Sequence, residues 1–170
     1  GSFATPIDSF SDYQDQEGWA CVLVALPRAG VISSSTDFRA RIARVLRGIL
    51  TRPRDATLIA NDVAEMRRAI ALEKGEADIW DLKHAAGGMV DIDFIAQYLQ
   101  LVHAADKPDI LSVNTPQALD NAQRLGVLSL PDADILRPAA RLFHDLTQIC
   151  RLCVSAKFEP GTCGERLRPV

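Results

Sequence analysis

Two aspartates, Asp91 and Asp93, stand one residue apart directly after the glycine pair Gly87-Gly88, in the stretch DLKHAAGGMVDIDF. Mg²⁺ prefers carboxylate oxygens as ligands, and glycines let a phosphate approach the backbone, so these are the parts of a two-metal phosphoryl-transfer site. On a strand both carboxylates would lie on one side. The alternative is that the glycines form the turn into a helix, where Asp91 complements the positive end of the helix dipole.

The spacing of the residues that follow favours the helix. In MVDIDFIAQYLQLVH, residues 89–103, the apolar side chains recur with a period of 3.6 and most residue types are helix formers. On a helix, residues i and i+2 diverge by about 200°, so the two carboxylates cannot chelate one metal ion. We therefore predict a helix from Met89 or Val90 to His103 and no metal ligands in it.

This helix is apolar on most sides, which is typical of a buried central helix. Its polar residues form one stripe, Asp93, Gln97 and Gln100, at positions i, i+4 and i+7. Burying an unpaired polar group costs about 1–3 kcal/mol or more, so the stripe must face either a polar network or a solvent-filled cleft. We favour the cleft because the stripe adjoins the glycine turn and Lys83, and we expect Asp93 or Gln97 to be accessible to solvent.

Lys83 precedes the glycine turn at the predicted helix start. Free backbone N–H groups and the helix dipole favour an anion at such a position, so Lys83 and the turn are candidates for binding a phosphate. The competing interpretation is a structural salt bridge from Lys83 to Asp91 or Asp81.

Structural explanations are favoured for the remaining reactive residue types. Arg52 and Arg54 in the turn TRPRD are expected to be solvated rather than bound to a phosphate. Cys150 and Cys153 form a C-x-x-C inside an apolar helical pattern, without a second pair, which indicates core cysteines. The histidines form no ligand pair and are expected at the surface or at caps: His84, His103 and His144.

Helix start and stop signals predict an all-α bundle of about six helices, with the buried helix near residues 89–103 at its centre. Residues 1–157 form the predicted helical domain and residues 158–170 a turn-rich tail. The other predicted helices are one that Asp8 or Ser9 caps and Pro27 stops, then residues 36–50, 55–75, 115–126 and 131–154, the last with a kink or break at Pro138.

Composition and charge give expectations about the partners and the cellular setting of the chain. The longest strongly apolar run, WACVLVAL, is far shorter than the roughly 20 residues of a membrane span, so no membrane partner is expected. Net charge is −3 with basic residues interspersed among acidic ones, which argues against a nucleic-acid partner. Four cysteines at irregular spacings indicate a reducing, cytoplasmic setting.

One long stretch, MRRAIALEKGEADIWDLKHAAGGMVDIDFIAQYLQLVHA, resembles the helical region that follows the nucleotidyltransferase domain in glutamine synthetase adenylyltransferases. These bifunctional enzymes attach AMP to, and remove it from, a tyrosine of glutamine synthetase. The resemblance extends to LTRPRD, NTPQAL and LRPAARLFHDLTQICRLC, and so covers most of the chain from about Ala4. The residues that match the family's motif are Lys83, Gly87, Gly88, Asp91, Ile92, Phe94 and Gln97.

The chain departs from the family pattern at several charged positions. Asp93 stands where the family has Glu, and Ala86 where its turn often has Arg. Near the start Arg28 is kept, whereas Val22 and Gly30 replace charged residues. If those charges bind nucleotide or orient a partner domain, this copy is impaired or specialised. The family's catalytic Gly-Ser and paired carboxylates lie N-terminal to this region and match no segment here, so the chain alone is expected not to transfer AMP.

The resemblance implies a helical domain of a glutamine synthetase adenylyltransferase, present as a fragment or a shortened paralogue. ATP and Mg²⁺ would serve the intact enzyme, with none bound tightly to this chain. The implied partners are glutamine synthetase, a PII-type signal protein and the missing nucleotidyltransferase domain. The alternatives are a non-catalytic regulatory or interaction module, and a standalone bundle whose motifs survive only as packing. No catalytic or metal residue is expected; the candidates for a nucleotide or domain interface are Lys83, Gly87, Gly88, Asp91, Asp93, Gln97 and Arg28.

Overall fold

The structure, a computed structural model, describes residues 20–30, 35–75, 78 and 80–153. Within those residues the chain is all-α and contains no strand, which confirms the predicted fold class. The described residues form six α-helices and two short 3-10 turns, Leu26–Arg28 after the first helix and Pro108–Ile110 after the fourth. The helices are α1 (Ala20–Ala25), α2 (Thr36–Leu50), α3 (Ala56–Lys74), α4 (Met89–His103), α5 (Thr115–Arg124) and α6 (Leu130–Cys153).

Capping side chains explain where the helices begin and end. The Asp55 carboxylate accepts two first-turn N–H groups of α3, at 2.8 and 3.0 Å, and Gly75 ends that helix with φ 78°. Ser35 caps α2 in the same way. Asn114 caps α5, which starts at Thr115 as predicted. The bounds predicted for α2, α3 and α5 are therefore confirmed to within two residues.

The last helix, α6, runs continuously through Pro138. Proline removes one backbone donor, so a break was one of the two predicted outcomes, and it does not occur. Pro138 lies on the exposed face, while Ala133 and Ala140 on the opposite face are buried in the core. Packing on both sides of the proline thus keeps the helix whole.

Helix α4 belongs to two core clusters, which confirms its predicted central place. Ile92 and Ala96 pack with residues of α5 and α6: Ala118, Leu119, Ala122, Ala133 and Ala140. Phe94 and Leu101 pack with residues from the N-terminal half of the bundle: Val24, Leu26, Ile49, Leu50 and Ile59. Since α4 contacts neighbours on both sides, it needs apolar residues around most of its circumference.

Parts of the prediction concern residues outside the described ranges. The start of the first helix near Asp8 or Ser9 and the tail at 158–170 belong to these. Pro27 lies in the 3-10 turn that follows α1, so it does end the α-helix as predicted. Of the helices that the structure describes, none combines the length and the apolar character that crossing a bilayer requires.

Candidate functional site

Asp91 and Asp93 lie on different sides of α4 and serve two different ion pairs. Asp91 pairs with Arg67 of α3, whereas Asp93 pairs with Arg28 of the 3-10 turn after α1. The two side chains therefore diverge, as their spacing of two residues on a helix predicts. Within the described ranges no group of three or more His, Cys, Asp or Glu side chains is arranged to hold a metal.

The Asp93 carboxylate joins three elements of the bundle. One oxygen accepts from the Arg28 guanidinium, and the other accepts from the Thr115 hydroxyl at 2.6 Å. The side chain of Asp93 is 13% exposed and that of Arg28 is 49% exposed. Because a buried carboxylate is stable only when paired and hydrogen-bonded, these donors allow its burial. The contacts hold the 3-10 turn and the start of α5 against α4.

The polar stripe does not face an open cleft. Asp93 is 9% exposed and Gln97 is 6% exposed, so the expectation that one of them is accessible is wrong. The physical reason is that neighbouring elements provide partners. Gln100 shows the same arrangement, since its Oε1 accepts from the backbone N–H of Ser112 at 2.7 Å and its Nε2 donates to the Ala96 carbonyl.

Gln97 differs from the other two stripe residues. Its Oε1 is buried and has no hydrogen-bond partner among the described residues. An unsatisfied buried oxygen of this kind costs about 1–3 kcal/mol. Hydrogen bonds among the described residues therefore explain why Asp93 and Gln100 are polar. They do not explain why residue 97 is a glutamine.

A cavity of about 130 Å³ lies beside the Arg28–Asp93 pair, between the first 3-10 turn and helices α4, α5 and α6. It is large enough for several water molecules. Its polar lining comes from four elements: Arg28, Asp93, Asn114, Thr115 and His144. Asp93 thus borders a small polar cavity although little of it reaches bulk solvent.

The two glycines before α4 are both required by the backbone. Gly87 has φ 76°, a conformation that side chains disfavour, and its N–H donates to the Asp91 carboxylate at 2.6 Å. At Gly88 a Cβ would lie 2.8 Å from the Ala85 carbonyl oxygen and 2.9 Å from that of Leu82. The glycine pair is therefore explained by the turn alone.

The first backbone N–H groups of α4 are already occupied. Those of Gly88, Met89 and Val90 donate to carbonyl oxygens of residues 82–85 at 2.8–3.1 Å. With the Gly87 N–H bound to Asp91, the turn has no free donor at these positions. These bonds do not support a phosphate cradle built from this turn, and a role of the glycines at a nucleotide or domain interface stays a prediction.

Lys83 is exposed, and its ammonium forms no ion pair among the described residues. The predicted structural salt bridge is wrong, because both proposed carboxylates have other partners. Asp91 pairs with Arg67, and Asp81 lies 3.0 Å from Nδ1 of His84. A contact from Lys83 to an anion or to another domain stays a prediction.

Arg67 is the site residue that the sequence analysis missed. Besides pairing with Asp91, it donates to the His84 carbonyl at 3.2 Å, and its side chain is only 16% exposed. It thus ties the loop before α4 to α3. The position of Arg67 could have indicated its role. It is four residues after Val63 and three before Ile70, so it lies on the apolar face of α3, where an arginine needs a partner.

The pKa of Asp81 lies below its ordinary value of 3.8. Burial by itself raises this pKa, but hydrogen bonds from the ring and backbone of His84, the charge of His84 and the backbone N–H of Lys83 outweigh it. The loop that leads to the glycine turn is therefore held by an ionised Asp81.

Arg54 is a helix cap rather than a solvated residue, which corrects the prediction. Its guanidinium donates to the carbonyl oxygens of Leu50 and Arg52 at 3.0 Å, at the C-terminal end of α2. Burial and the positive charge of Arg52 lower the pKa of Arg54. These bonds satisfy helix-end carbonyls that would otherwise lack donors.

The remaining candidates lie in separate places. His103 is in the last turn of α4, and His144 is exposed on α6 beside the cavity. Cys150 and Cys153 fall in the last turn of α6, which confirms their helical setting, while their side chains are outside the described set. At the positions of lost charge, Gly30 and Ala86 are both exposed, and the side chain of Val22 is not described.

Comparison with known proteins gives consistent matches. A family model described as GlnD PII-uridylyltransferase matches residues 59–152. A bifunctional glutamine synthetase adenylyltransferase/adenylyl-removing enzyme of Rhodopseudomonas palustris is 70% identical over 98% of this chain. Proteins of the same name from Bradyrhizobium diazoefficiens and Xanthobacter autotrophicus are 64% and 45% identical over 100% and 99% of it. The chain spans only 17% of the length of each of these relatives.

Proposed function

Because the chain belongs to the family of the glutamine synthetase adenylyltransferase/adenylyl-removing enzymes, we propose that it acts as a helical domain that supports AMP transfer carried out by another domain. The acceptor is a tyrosine of glutamine synthetase, and the regulatory partner is a PII-type signal protein. The matches to relatives at 45–70% identity favour the adenylyl reaction over the uridylyl reaction named by the family model.

The separate ion pairs of α4 carry this proposal. Asp91 and Asp93 are the acidic pair nearest to a nucleotidyltransferase motif in this chain, yet each is neutralised by an arginine from a different element. The glycine turn beside them has its N–H groups occupied. The described residues therefore do not fit an ATP phosphate site at this turn. The carboxylates that hold Mg²⁺ would come from outside this chain.

In the intact enzyme, the tyrosine oxygen forms a bond to the α-phosphorus of ATP while the bond to the β-phosphate oxygen breaks and pyrophosphate leaves. The contribution of this chain is to hold geometry. The Arg28–Asp93–Thr115 contacts fix the 3-10 turn and α5 on α4, and the half-exposed Arg28 and exposed Lys83 face outward from that scaffold. A 1 Å misplacement of a supporting wall is enough to slow such a reaction strongly.

Lys83 provides the cleanest test, because its exposed side chain forms no ion pair or hydrogen bond with the residues that the structure describes. In a full-length relative, Lys83→Ala should lower kcat/KM for AMP transfer by about tenfold or more while leaving Tm unchanged. Lys74→Ala is the matched control, since Lys74 is also exposed and pairs with its neighbour Glu73. Equal rates for both variants would remove Lys83 from the interface. AMP transfer by the 170-residue chain alone would overturn the proposed function.

A second candidate function, a non-catalytic interaction module, is favoured by a different observation. Six of the 19 Lys and Arg residues lie in α2 and the turn after it, a segment that has only two acidic residues, Asp37 and Asp55. A locally basic segment of this kind can serve recognition of an acidic partner whether or not AMP transfer takes place.

A further inference from the structure

Lys83 combines a fixed backbone with an exposed side chain. Its N–H donates to the Asp81 carboxylate at 3.2 Å, and its carbonyl oxygen accepts from the Val90 N–H at 3.1 Å. Its side chain is exposed and forms no ion pair or hydrogen bond with the residues that the structure describes. Because both backbone groups are held, the place that the lysine ammonium can reach depends on the orientation of the loop before α4, residues 81–88.

This loop has little apolar packing of its own. Among residues 81–88 only Ala85 and Gly88 are buried, whereas Ala86 and Gly87 are exposed. A segment with few buried apolar contacts depends on hydrogen bonds and ion pairs to keep one orientation. The polar contacts that reach the loop from other elements therefore decide where it points.

Arg67 makes such a contact from the neighbouring helix α3. One terminal nitrogen of its guanidinium donates to the His84 carbonyl oxygen at 3.2 Å, and its Nε donates to the Asp91 carboxylate. The donors of a guanidinium lie in one plane in fixed directions. Arg67 thus sets the direction of the residue that follows Lys83 relative to both α3 and the first turn of α4.

Asp91 extends the same contact to the other end of the loop. While one carboxylate oxygen accepts from Nε of Arg67, the other accepts from the Gly87 N–H at 2.6 Å. The Arg67–Asp91 pair therefore holds the loop at His84 and at Gly87, on either side of its centre. Lys83 lies immediately before the first of these two points.

These contacts are more than the start of α4 requires. The N–H groups of Gly88, Met89 and Val90 already donate to backbone carbonyl oxygens of residues 82–85. The Arg67 side chain is only 16% exposed, and replacing an ion pair that has lost so much hydration by an apolar pair is often neutral for stability. The best-attested use of such a pair is to specify one arrangement of the elements that it joins. Here those elements are α3 and the loop that carries Lys83.

We propose that Arg67 is a positioning residue, which presents Lys83 to an anionic group of the nucleotide or of the catalytic domain in the intact enzyme. This role rests on the proposed function, because it requires a contact of Lys83 in AMP transfer. Arg67 itself touches neither reactant. It acts by holding the loop, and a misplacement of about 1 Å is enough to slow a reaction on the order of 100-fold.

The test is a double-mutant cycle at the matching positions of a full-length relative. Arg67→Lys keeps a positive charge beside Asp91 but lacks the planar group that binds Asp91 and His84 together. It should lower kcat/KM for AMP transfer about fivefold or more, divided between kcat and KM in the same way as the loss in Lys83→Ala. In the Lys83→Ala background it should lower kcat/KM less than about twofold, because no ammonium is left to misplace.

Arg68→Lys is the matched control. It makes the same chemical change one residue later on α3, where Arg68 is exposed and its Nε donates to the Ala64 carbonyl of its own helix. It should change kcat/KM less than about twofold. If Arg67→Lys instead lowers kcat/KM equally with and without Lys83, it acts through the stability of the domain, and the positioning role is overturned.

A second measurement follows the loop itself in the 170-residue chain. Hydrogen exchange detected by NMR should show the amides of Lys83 and Gly87 exchanging about tenfold faster in Arg67→Lys than in wild type. The Leu99 amide, in the middle of α4, should exchange at an unchanged rate. Unchanged exchange at Lys83 and Gly87 would overturn the positioning role even if activity fell.

The kinetic results also separate this inference from the proposed function. Wild-type kcat/KM in Lys83→Ala would remove the contact of Lys83 and the positioning role together. A loss in Lys83→Ala with none in Arg67→Lys would overturn only the positioning role. Where both variants lose activity, a raised KM for ATP assigns the anionic group to the nucleotide, and an unchanged KM assigns it to the catalytic domain.

Discussion

At the residue scale, Asp93 is the clearest case of a polar group whose role is set by its partners. Arg28 and Thr115 reach it from two other elements, and each supplies one donor to one oxygen. Removing its charge leaves the Arg28 guanidinium with a weaker acceptor in a partly buried place. These contacts indicate that Asp93 stabilises the packing of the first 3-10 turn and α5 on α4.

Asp93→Asn should lower the free energy of unfolding by about 1–3 kcal/mol, because the charge-assisted bond to Arg28 is lost. In a domain of this size that corresponds to a fall in Tm of several degrees, measured by thermal unfolding. Asp109→Asn is the control, since Asp109 is 77% exposed and its pair with Arg47 is long. An unchanged Tm for Asp93→Asn would return this residue to the solvent-facing role first expected for it.

The two buried glutamines of α4 should respond in opposite ways to the same substitution. Gln97→Leu removes an oxygen that has no described partner, so the free energy of unfolding should stay constant or rise by about 1 kcal/mol. Gln100→Leu leaves the Ser112 N–H without its acceptor and should lower that free energy by about 1–3 kcal/mol. Urea titration measures both, and equal losses would show that Gln97 has a partner after all.

The lowered pKa of Asp81 predicts how the free energy of unfolding changes with pH. Its pKa in the folded chain lies below the ordinary value of 3.8, so its ionised form stabilises the fold above that pH. The stabilisation is lost as pH falls below 3.8 and through the folded pKa. Wild type should thus be more stable than Asp81→Asn at pH 7, and the difference should shrink toward about pH 2. A difference that is the same at both pH values would contradict this assignment.

At the element scale, the loop before α4 is held by hydrogen bonds to the start of α4 and to Arg67 of α3. Its carbonyl oxygens accept the first N–H groups of α4, and Arg67 binds both the loop and Asp91. The same contacts that stabilise the helix start occupy the backbone N–H groups that an anion would need. The exposed Lys83 stays a candidate for contact with an anion or with another domain.

Gly88→Ala should be strongly destabilising, because its Cβ would lie 2.8 Å from a backbone oxygen that cannot move without opening the turn. A loss of about 2 kcal/mol or more in the free energy of unfolding is expected from chemical denaturation. Gly48→Ala is the matched control: it lies inside α2, where a Cβ meets nothing within 4 Å. That variant should gain about 0.5–1 kcal/mol from helix propensity. A tolerated Gly88→Ala would show that the turn adopts another conformation.

At the scale of the whole molecule, α4 connects two core clusters that share few other elements. Leu101 lies in the cluster with α1, α2 and α3, and Leu119 lies in the cluster with α5 and α6. Because α4 contributes side chains to both, unfolding one cluster exposes part of the other. The bundle is therefore expected to unfold as one cooperative unit.

Leu101→Ala and Leu119→Ala test that cooperativity, since both side chains are 0% exposed. Each should lower the free energy of the same single transition by about 2–5 kcal/mol, followed by far-UV circular dichroism and by tryptophan fluorescence. Two separated transitions, or probes that disagree, would show that the clusters fold independently.

The amino-acid sequence by itself determined the bounds of α2 to α6 to within two residues, and the divergence of Asp91 from Asp93. It could do so because caps, helix stops and the 3.6-residue period act between neighbours in the chain. The resemblance carried by LKHAAGGMVDIDF also pointed to the family that the comparisons show. Signals of this kind depend on residues close together in the chain, so they can be recognised without the tertiary structure.

Only the tertiary structure decided which charges meet. Arg28 is 65 residues from Asp93 and Arg67 is 24 from Asp91, so no local pattern predicts either pair. The same holds for the cavity beside the Arg28–Asp93 pair, whose lining comes from segments far apart in sequence. The expectation of an open cleft failed for this reason. A carboxylate on an apolar helix can be buried when hydrogen-bond donors reach it, and only folding brings the donors of Asp93 to it.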